Sequence, residues 1–214
     1  MPTTLALSAY PGDAVFSVGA LLHALPGDRR HVTCFGRDVA EAGAVQQLGL
    51  RHTDLGLALA ASAKTVTDAL APQLEEDAPA NVLLPLGLAA RAGEVLFIEV
   101  LPALKRLAPG ARFVHYYPLP YVSRRKSRYP ELAFARAIRG LAEADADAAA
   151  FQWKPRGMSA AAALETKRAA ALTLRDELTN RLFPEPEPRA PSDDAELEAL
   201  LVRALGTREW VQLA

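Results

Sequence analysis

The sequence predicts a three-layer α/β fold with a mostly parallel central sheet. Through the first half of the chain, apolar segments of strand length alternate with stretches of helical periodicity, which is the pattern of βαβ units. Breaker residues end the first and fourth predicted helices, at Pro26-Gly27-Asp28 and Ala108-Pro109-Gly110. With 214 residues, half of them hydrophobic, the chain is long enough for one well-buried core. We therefore expect a single domain over residues 1–214.

Strands and helices are predicted in strict alternation up to residue 117. The predicted strands are 3–9, 31–36, 51–55, 81–86 and 111–117, and the predicted helices between them are 14–25, 38–48, 62–76 and 91–107. Beyond residue 118 we expect a long loop, helices near 131–143 and 160–182, and an added edge strand at 148–153. A proline-rich linker, 184–191, then leads to a helix from Ala195 to Leu205 and a short terminal strand packed on the same domain.

Charge and composition narrow the classes of partner and compartment. The net charge of -1 gives no overall field to attract a nucleic acid or an anionic membrane, so neither partner is expected. We see no signal-like leader and no apolar stretch of membrane-spanning length, and we expect a cytoplasmic protein. The richness in Ala, Leu, Arg and Pro is typical of high-GC bacteria. Cys34, the single cysteine, lies in an apolar segment and is expected to be a buried structural thiol.

The loop after the first predicted strand is the most informative part of the chain. The apolar run Leu5–Ala9 ends in Tyr10-Pro11-Gly12-Asp13, and an amphipathic helix containing Ser17-Val18-Gly19 follows. The carboxyl end of a strand and the amino end of the next helix meet at the crevice where open α/β sheets bind ligands. The sequence therefore predicts a site at this loop.

This loop resembles the A-H-P-D-D signature of the PIG-L (LmbE-like) N-deacetylases, which continues into a similar helix with an S-x-G step. The resemblance implies the Rossmann-like α/β fold of that family. In the family, the His and the second Asp hold a catalytic zinc, and the first Asp is the general base. Here the positions read Ala9-Tyr10-Pro11-Gly12-Asp13, so that one ligand and the base are missing.

Further motifs of the family are degenerate or partial. Pro85-Leu86 matches the approach to the family's H-x-D-H motif, but Arg91-Ala92-Gly93-Glu94 stands where the motif belongs. The segment from His115 to Tyr121 is similar to the family's aromatic Y-x-x-x-P-Y segment, and Lys167 with Ala170 resembles its late K-x-x-A helix. The resemblance therefore implies the scaffold of the family without its metal chemistry.

From these motifs we expect a degenerate ligand pocket with no catalytic residue and no metal ligand. Its expected members are Tyr10, Gly12, Asp13, Arg37, Arg91, Glu94, His115, Tyr117 and Tyr121. A buried Asp13 carboxylate needs a partner, for which Arg91 is the first candidate and Arg37 the second. His31 and His52 are expected at strand amino ends, on the edge opposite the crevice, as solvated or structural residues.

Two functions from different classes remain. The first is a pseudoenzyme without a cofactor, which binds a small sugar-like ligand or assembles as a homo-oligomer or with an active paralogue. The second is a zinc hydrolase that removes N-acetyl groups from an amino-sugar conjugate through a rearranged site of Asp13, Glu94 and His115.

Overall fold

A six-stranded sheet forms the centre of the molecule. The computed structural model describes residues 3–86, 92–116, 160–182, 193–205 and 211–213. The strands are β1 Thr3–Ser8, β2 Asp28–Phe35, β3 Arg51–Leu57, β4 Asn81–Pro85, β5 Arg112–Tyr116 and β6 Val211–Leu213. They lie in the order β3-β2-β1-β4-β5-β6, with β1 to β5 parallel and β6 antiparallel to β5. The order reverses between β1 and β4, which places the carboxyl ends of these two parallel strands side by side at one edge of the sheet.

Helices cover both faces of this sheet. They are α1 Asp13–Ala24, α2 Val39–Gln47, α3 Ala63–Asp77, α4 Ala92–Leu107, α5 Ala160–Thr173, α6 Arg175–Leu182 and α7 Asp194–Leu205. Ala6 and Leu83 pack into a core with α1, α2, α5, α6 and α7, whereas Leu5 and Leu84 face a second core with α3 and α4. Because neighbouring strand residues point to opposite faces, β1, β4 and β5 each contribute to both cores. The predicted three-layer α/β fold is confirmed.

The second strand begins earlier than the sequence indicates. Asp28 was expected in the turn, but it pairs with Thr3 and opens β2. Arg29 donates to the Leu22 and His23 carbonyls, and Arg30 contacts Asp77, so that these charged residues are accommodated in the strand. As a consequence, His31 lies inside β2 and not at its amino end.

Close packing between α1 and α5 explains the small-residue step in α1. A Cβ on Gly19 would lie 3.2 Å from Lys167 Cγ, so glycine leaves room for the methylene groups of the buried Lys167 side chain. Lys167 Nζ reaches the Ser17 carbonyl at 3.5 Å, beside the non-helical backbone of Val18. The S-x-G step thus provides the contact between the first and fifth helices.

Cys34 is free and buried, as expected, and burial raises the pKa of its thiol to about 12. The loop from residue 118, the helix at 131–143, the strand at 148–153 and the linker at 184–191 lie outside the described residues. None of the described helices has the length and hydropathy needed to span a membrane.

Candidate functional site

The turn from Tyr10 to Asp13 connects β1 to α1 at the carboxyl edge of the sheet. Asp13 is fully buried, and its Oδ2 accepts a hydrogen bond of 2.8 Å from the Tyr10 amide. In return, the Asp13 amide donates to the Tyr10 carbonyl at 3.2 Å. Asp13 is also the first residue of α1, where the helix dipole favours a carboxylate. The carboxylate therefore stabilises the turn itself.

The Tyr10 side chain joins this turn to the beginning of α4. Its hydroxyl oxygen accepts a hydrogen bond of 3.0 Å from the Gly93 amide. The ring lies 6.0 Å from the Phe35 ring, centre to centre, at an angle of 43°. Phe35 is itself fully buried, so the phenol is held by packing as well as by the hydrogen bond. The loop after β1 and the segment after β4 are consequently in contact.

Gly12 has no space for a side chain. Its φ of 80° lies in the left-handed region, and a Cβ there would approach Phe16 Cε2 to 2.5 Å. As the residue that precedes α1, Gly12 also offers no side-chain cap. Ser8 provides one from β1, because its Oγ accepts the Ala14 amide at 3.0 Å. The backbone around Gly12 is thus built for glycine.

A buried polar network, which we call the Glu41 network, lies beneath this loop; its members are Ser8, His31, Thr33, Glu41 and His52. Glu41 Oε1 accepts the Gly12 amide at 2.7 Å, and its Oε2 accepts the Thr33 hydroxyl at 2.8 Å. His52 Nε2 lies 3.5 Å from Glu41 Oε2, and His31 Nε2 lies 4.0 Å from Oε1. His31 and His52 are register partners on β2 and β3, which places their rings side by side.

Burial and hydrogen bonding fix the protonation of this network. Burial alone would raise the pKa of the Glu41 carboxyl, but the bonds from His52, Gly12 and Thr33 and the charge of His31 outweigh it and lower the pKa to about 2. Burial lowers the pKa of His31 to about 4, although Glu41 opposes this shift. At neutral pH the network therefore holds an anionic carboxylate beside a neutral His31.

The Ser8–His31 pair is not a catalytic dyad. Ser8 Oγ and His31 Nε2 are 2.7 Å apart, which is the separation of a nucleophile and its base. Yet Ser8 has no exposed surface, and its oxygen already accepts the Ala14 amide. Glu41 approaches the same ring nitrogen as Ser8, so it cannot orient the imidazole from the far side as a triad acid does. The pair is structural.

Two members of the expected pocket lie away from the Tyr10–Asp13 turn. Arg37 is largely exposed, and its Nε pairs with Asp54 Oδ2 at 3.5 Å; the second candidate for Asp13 is thus engaged elsewhere. His115 is 2% exposed and follows Phe113 on the face of β5 that packs against α4. The core on the opposite face contains Ala14 and Phe16 of α1. His115 therefore lies on the α4 side of the sheet, whereas α1, which begins at Asp13, covers the other side.

The buried His115 should make the protein less stable in acid. Burial, aided by the charge of Lys105, lowers the pKa of His115 to about 4 from its usual 6.5, so the unfolded chain binds this proton first. Stability is then lost as the pH falls from about 6.5 to about 4, by at most about 3 kcal/mol for this residue. In urea unfolding at pH 7.5 and 5, His115→Phe should lose less stability than wild type. Equal losses in both proteins would contradict this assignment.

Other expected pocket residues are not described. Arg91, Tyr117 and Tyr121 lie outside the described residues, and for Glu94 only the helical backbone is described. The pairing of Arg91 with Asp13 stays a prediction. The Glu41 network, in contrast, was missed: His31 and His52 were assigned to the opposite edge, and Glu41 was not among the expected pocket residues. A usable signal was the repeated Arg-His pair, Arg30-His31 and Arg51-His52, in consecutive strands.

The described residues of the turn do not fit a zinc ion at the position the family resemblance implies. Zinc in a hydrolase takes three protein ligands, usually imidazole or carboxylate, and keeps one open position. Here Asp13 is the single carboxylate, and its Oδ2 accepts a backbone amide. The Tyr10 phenol would ligate only as a phenolate, and its oxygen already accepts the Gly93 amide. The described donors of this turn are therefore too few, and too engaged with the backbone, to hold a catalytic zinc.

Comparisons with known proteins identify the fold. No family model and no curated protein sequence matches the chain. Among solved structures, the A40926 pseudoaglycone deacetylase Dbv21 matches with a TM-score of 0.62 and 15% identity, over 98% of this chain and 95% of that one. The zinc-inhibited form of the teicoplanin deacetylase Orf2 matches with a TM-score of 0.64 and 11% identity, over 99% of this chain and 97% of that one.

The same fold also occurs in an enzyme of another class. The 4-carboxy-2-hydroxymuconate hydratase GalB from Pseudomonas putida KT2440 matches with a TM-score of 0.58 and 11% identity, over 100% of this chain and 95% of that one. Identities this low indicate the fold and do not transfer an activity. The chain has the three-layer α/β fold shared by these deacetylases and this hydratase.

Proposed function

We propose that this chain is a non-catalytic member of the deacetylase-like fold, which acts as a binding or partner protein. The observation that carries the proposal is the hydrogen bond from the Gly93 amide to the Tyr10 hydroxyl. Tyr10 stands where the family has a zinc-binding His, and this bond makes it a structural link between the loop after β1 and the beginning of α4. The ligand class we propose is a small amino sugar or its conjugate, in line with the N-acyl amino sugars suggested by the resemblance.

The loss of the general base is a second, independent support. Gly12 has no functional group, and general acid–base catalysis contributes about 10²–10⁴-fold to rate. Nor does the backbone leave room for a replacement, because a Cβ at Gly12 would collide with Phe16. The competing hydrolase has Asp13 and Glu94 as ligands, with His115 as the candidate for a third. His115 is buried on the face of β5 where Phe113 packs against α4, whereas Asp13 begins α1, which covers the other face, so this position supports the hydrolase poorly.

Acetate release provides the test of catalysis. With zinc supplied, the full chain should release no more acetate from an N-acetylglucosamine conjugate or an acetylated teicoplanin-type glycopeptide than its Asp13→Asn variant does. A deacetylase with an intact A-H-P-D-D signature serves as the positive control. Turnover by the wild-type chain that disappears in Asp13→Asn would contradict the proposal and support the hydrolase.

Ligand-observed NMR tests the binding half of the proposal with the same two amino-sugar compounds. We expect saturation transfer to the N-acetylglucosamine conjugate, and the signal should fall when Tyr10→Phe removes the link to Gly93. Absence of transfer to either compound would contradict the proposed ligand, and a monomeric chain in sedimentation would contradict the homo-oligomer.

A further inference from the structure

Two imidazoles converge on one buried carboxylate in the Glu41 network. The Nε2 atoms of His31 and His52 lie 4.0 and 3.5 Å from separate oxygens of Glu41. One ligand atom from each of the three residues can be chosen so that all three lie within 4.8 Å of one another. The rings of His31 and His52 are stacked, with centres 5.3 Å apart and an angle of 18°. The donors thus surround one point.

Hydrogen bonding alone leaves part of this arrangement unexplained. His31 Nδ1 is buried and has no hydrogen-bond partner, so hydrogen bonding holds this ring only from Nε2, which faces Ser8 and Glu41. A divalent metal ion, in contrast, accepts both nitrogen lone pairs and the carboxylate together.

We propose that His31, Glu41 and His52 form a binding site for a divalent transition-metal ion of the zinc class. Two neutral imidazoles and one carboxylate are a donor set that zinc prefers, with bonds of about 2.0–2.1 Å. Such bonds place tetrahedral ligands roughly 3.3 Å apart. Each imidazole nitrogen therefore has to approach its Glu41 oxygen by less than about 1 Å, starting from 4.0 and 3.5 Å, and the widest pair of donors, at most 4.8 Å apart, has to close by at most about 1.5 Å.

The position of this site indicates a structural role. Ser8 Oγ lies 2.7 Å from His31 Nε2, and Thr33 Oγ1 lies 3.3 Å from His52 Nε2. Because each of these nitrogens has one lone pair, a bound ion replaces both hydrogen bonds, and the two hydroxyl groups then border the ion. His31 and Glu41 are almost fully buried, whereas His52 is 13% exposed on the outermost strand and provides the route of entry. Because Glu41 also holds the Gly12 amide, a bound ion fixes the turn above it.

Cobalt and zinc titrations of the chelator-treated full chain test this site. We expect one Co²⁺ per chain, with the intense visible absorption of tetrahedral coordination, and displacement of Co²⁺ by Zn²⁺. His52→Gln should weaken binding by at least ~100-fold, since even residues outside the ligand shell change affinity 10–100-fold. His23→Gln is the matched control: His23 is also a part-buried histidine, but it bonds the Leu48 carbonyl, and its loss should leave the affinity unchanged.

Asp13→Asn distinguishes this site from the position implied by the family resemblance. We expect this variant to bind Co²⁺ like wild type and zinc to raise the melting temperature of both, with no rise in His52→Gln. Glu41→Gln, which keeps an acceptor for the Gly12 amide, gives a second ligand variant if His52→Gln does not fold. Wild type that binds no Co²⁺ or Zn²⁺ would overturn the inference. Binding that survives His52→Gln but is lost in Asp13→Asn would also overturn it, whereas acetate release alone would contradict only the proposed function.

Discussion

Replacing Glu41 by alanine is expected to lower the free energy of unfolding by about 3–5 kcal/mol in metal-free protein. The carboxylate is almost fully buried and accepts hydrogen bonds from the Gly12 amide and the Thr33 hydroxyl. Alanine leaves both donors without their acceptor in a site that water does not reach, which costs about 1–3 kcal/mol for each group. The loss of packing adds to this. Urea unfolding at pH 7.5 measures the change.

Two variants show whether the loss of stability in Glu41→Ala comes from the network or from the removal of any glutamate. Glu75→Ala removes an exposed carboxylate from α3 and should change stability by no more than about 0.5 kcal/mol. Glu41→Gln keeps an oxygen for the Gly12 amide, and its free energy of unfolding should lie between those of the two alanine variants. A double-mutant cycle with Thr33→Val then measures how far the Thr33–Glu41 contact is coupled. If Glu41→Ala were as stable as Glu75→Ala, the network would have no stabilising role.

Hydrogen exchange gives a local reading of the same loss. The Gly12 amide donates at 2.7 Å to Glu41 in the wild-type protein, and it should be protected from exchange. In Glu41→Ala, this amide should exchange much faster, while amides in the centre of β1 keep their relative protection. Uniform acceleration across the chain would instead indicate global destabilisation without a specific role for Glu41 at the loop.

The fold could be predicted from the sequence because its local signals agree. Apolar runs at β1, β4 and β5 are separated by turn residues and amphipathic helices, and the parallel sheet follows from that alternation. The beginning of β2 could not be predicted in this way. Asp28, Arg29 and Arg30 look like a solvated turn, and only partners distant in the sequence, such as Thr3 and Asp77, make them part of a strand. Tertiary pairing overrides local propensity there.

Part of the candidate site could be predicted from the sequence. The position of the Tyr10–Asp13 turn follows from the rule that parallel strands end at one edge. Glu41 was not recognisable, because Asp38-Val-Ala-Glu41 has the spacing of a helix capping box, in which the glutamate serves its own helix. Asp38 does cap α2, but Glu41 turns to Gly12 on another element. The register that pairs His31 with His52 is likewise a property of the sheet and not of either segment.

Putting back the side chains that the resemblance finds missing is expected to destabilise the protein without creating a zinc site at the turn. The sequence suggests that Tyr10→His, Gly12→Asp and Glu94→His together would restore the metal. The structure opposes the second of these changes. Gly12 has a φ of 80°, and a Cβ there would lie 2.5 Å from a ring carbon of Phe16, which is fully buried.

The cost of Gly12→Asp has two separable parts. A left-handed backbone costs a residue other than glycine about 1–2 kcal/mol, and overpacking against a buried ring costs about 1–3 kcal/mol more. Gly36→Asp isolates the first part, because its φ is 76° but its nearest neighbour would be Pro11 Cδ at 3.6 Å. Gly110→Asp has no neighbour within 4 Å and should change stability by at most about 0.5 kcal/mol. We therefore expect the order of loss Gly12→Asp, then Gly36→Asp, then Gly110→Asp.

Zinc binding by the triple variant is best measured in a His52→Gln background, so that the Glu41 network does not contribute an ion. Metal ligands must be held within about 0.5 Å of their working geometry, and a turn displaced by the Phe16 contact does not hold them. We expect the triple variant to unfold at lower urea concentration than its parent and to bind no zinc above it. A triple variant with parental stability and one tightly bound zinc would show that the turn still carries the ligand geometry of a deacetylase, and that three substitutions are enough to restore its metal.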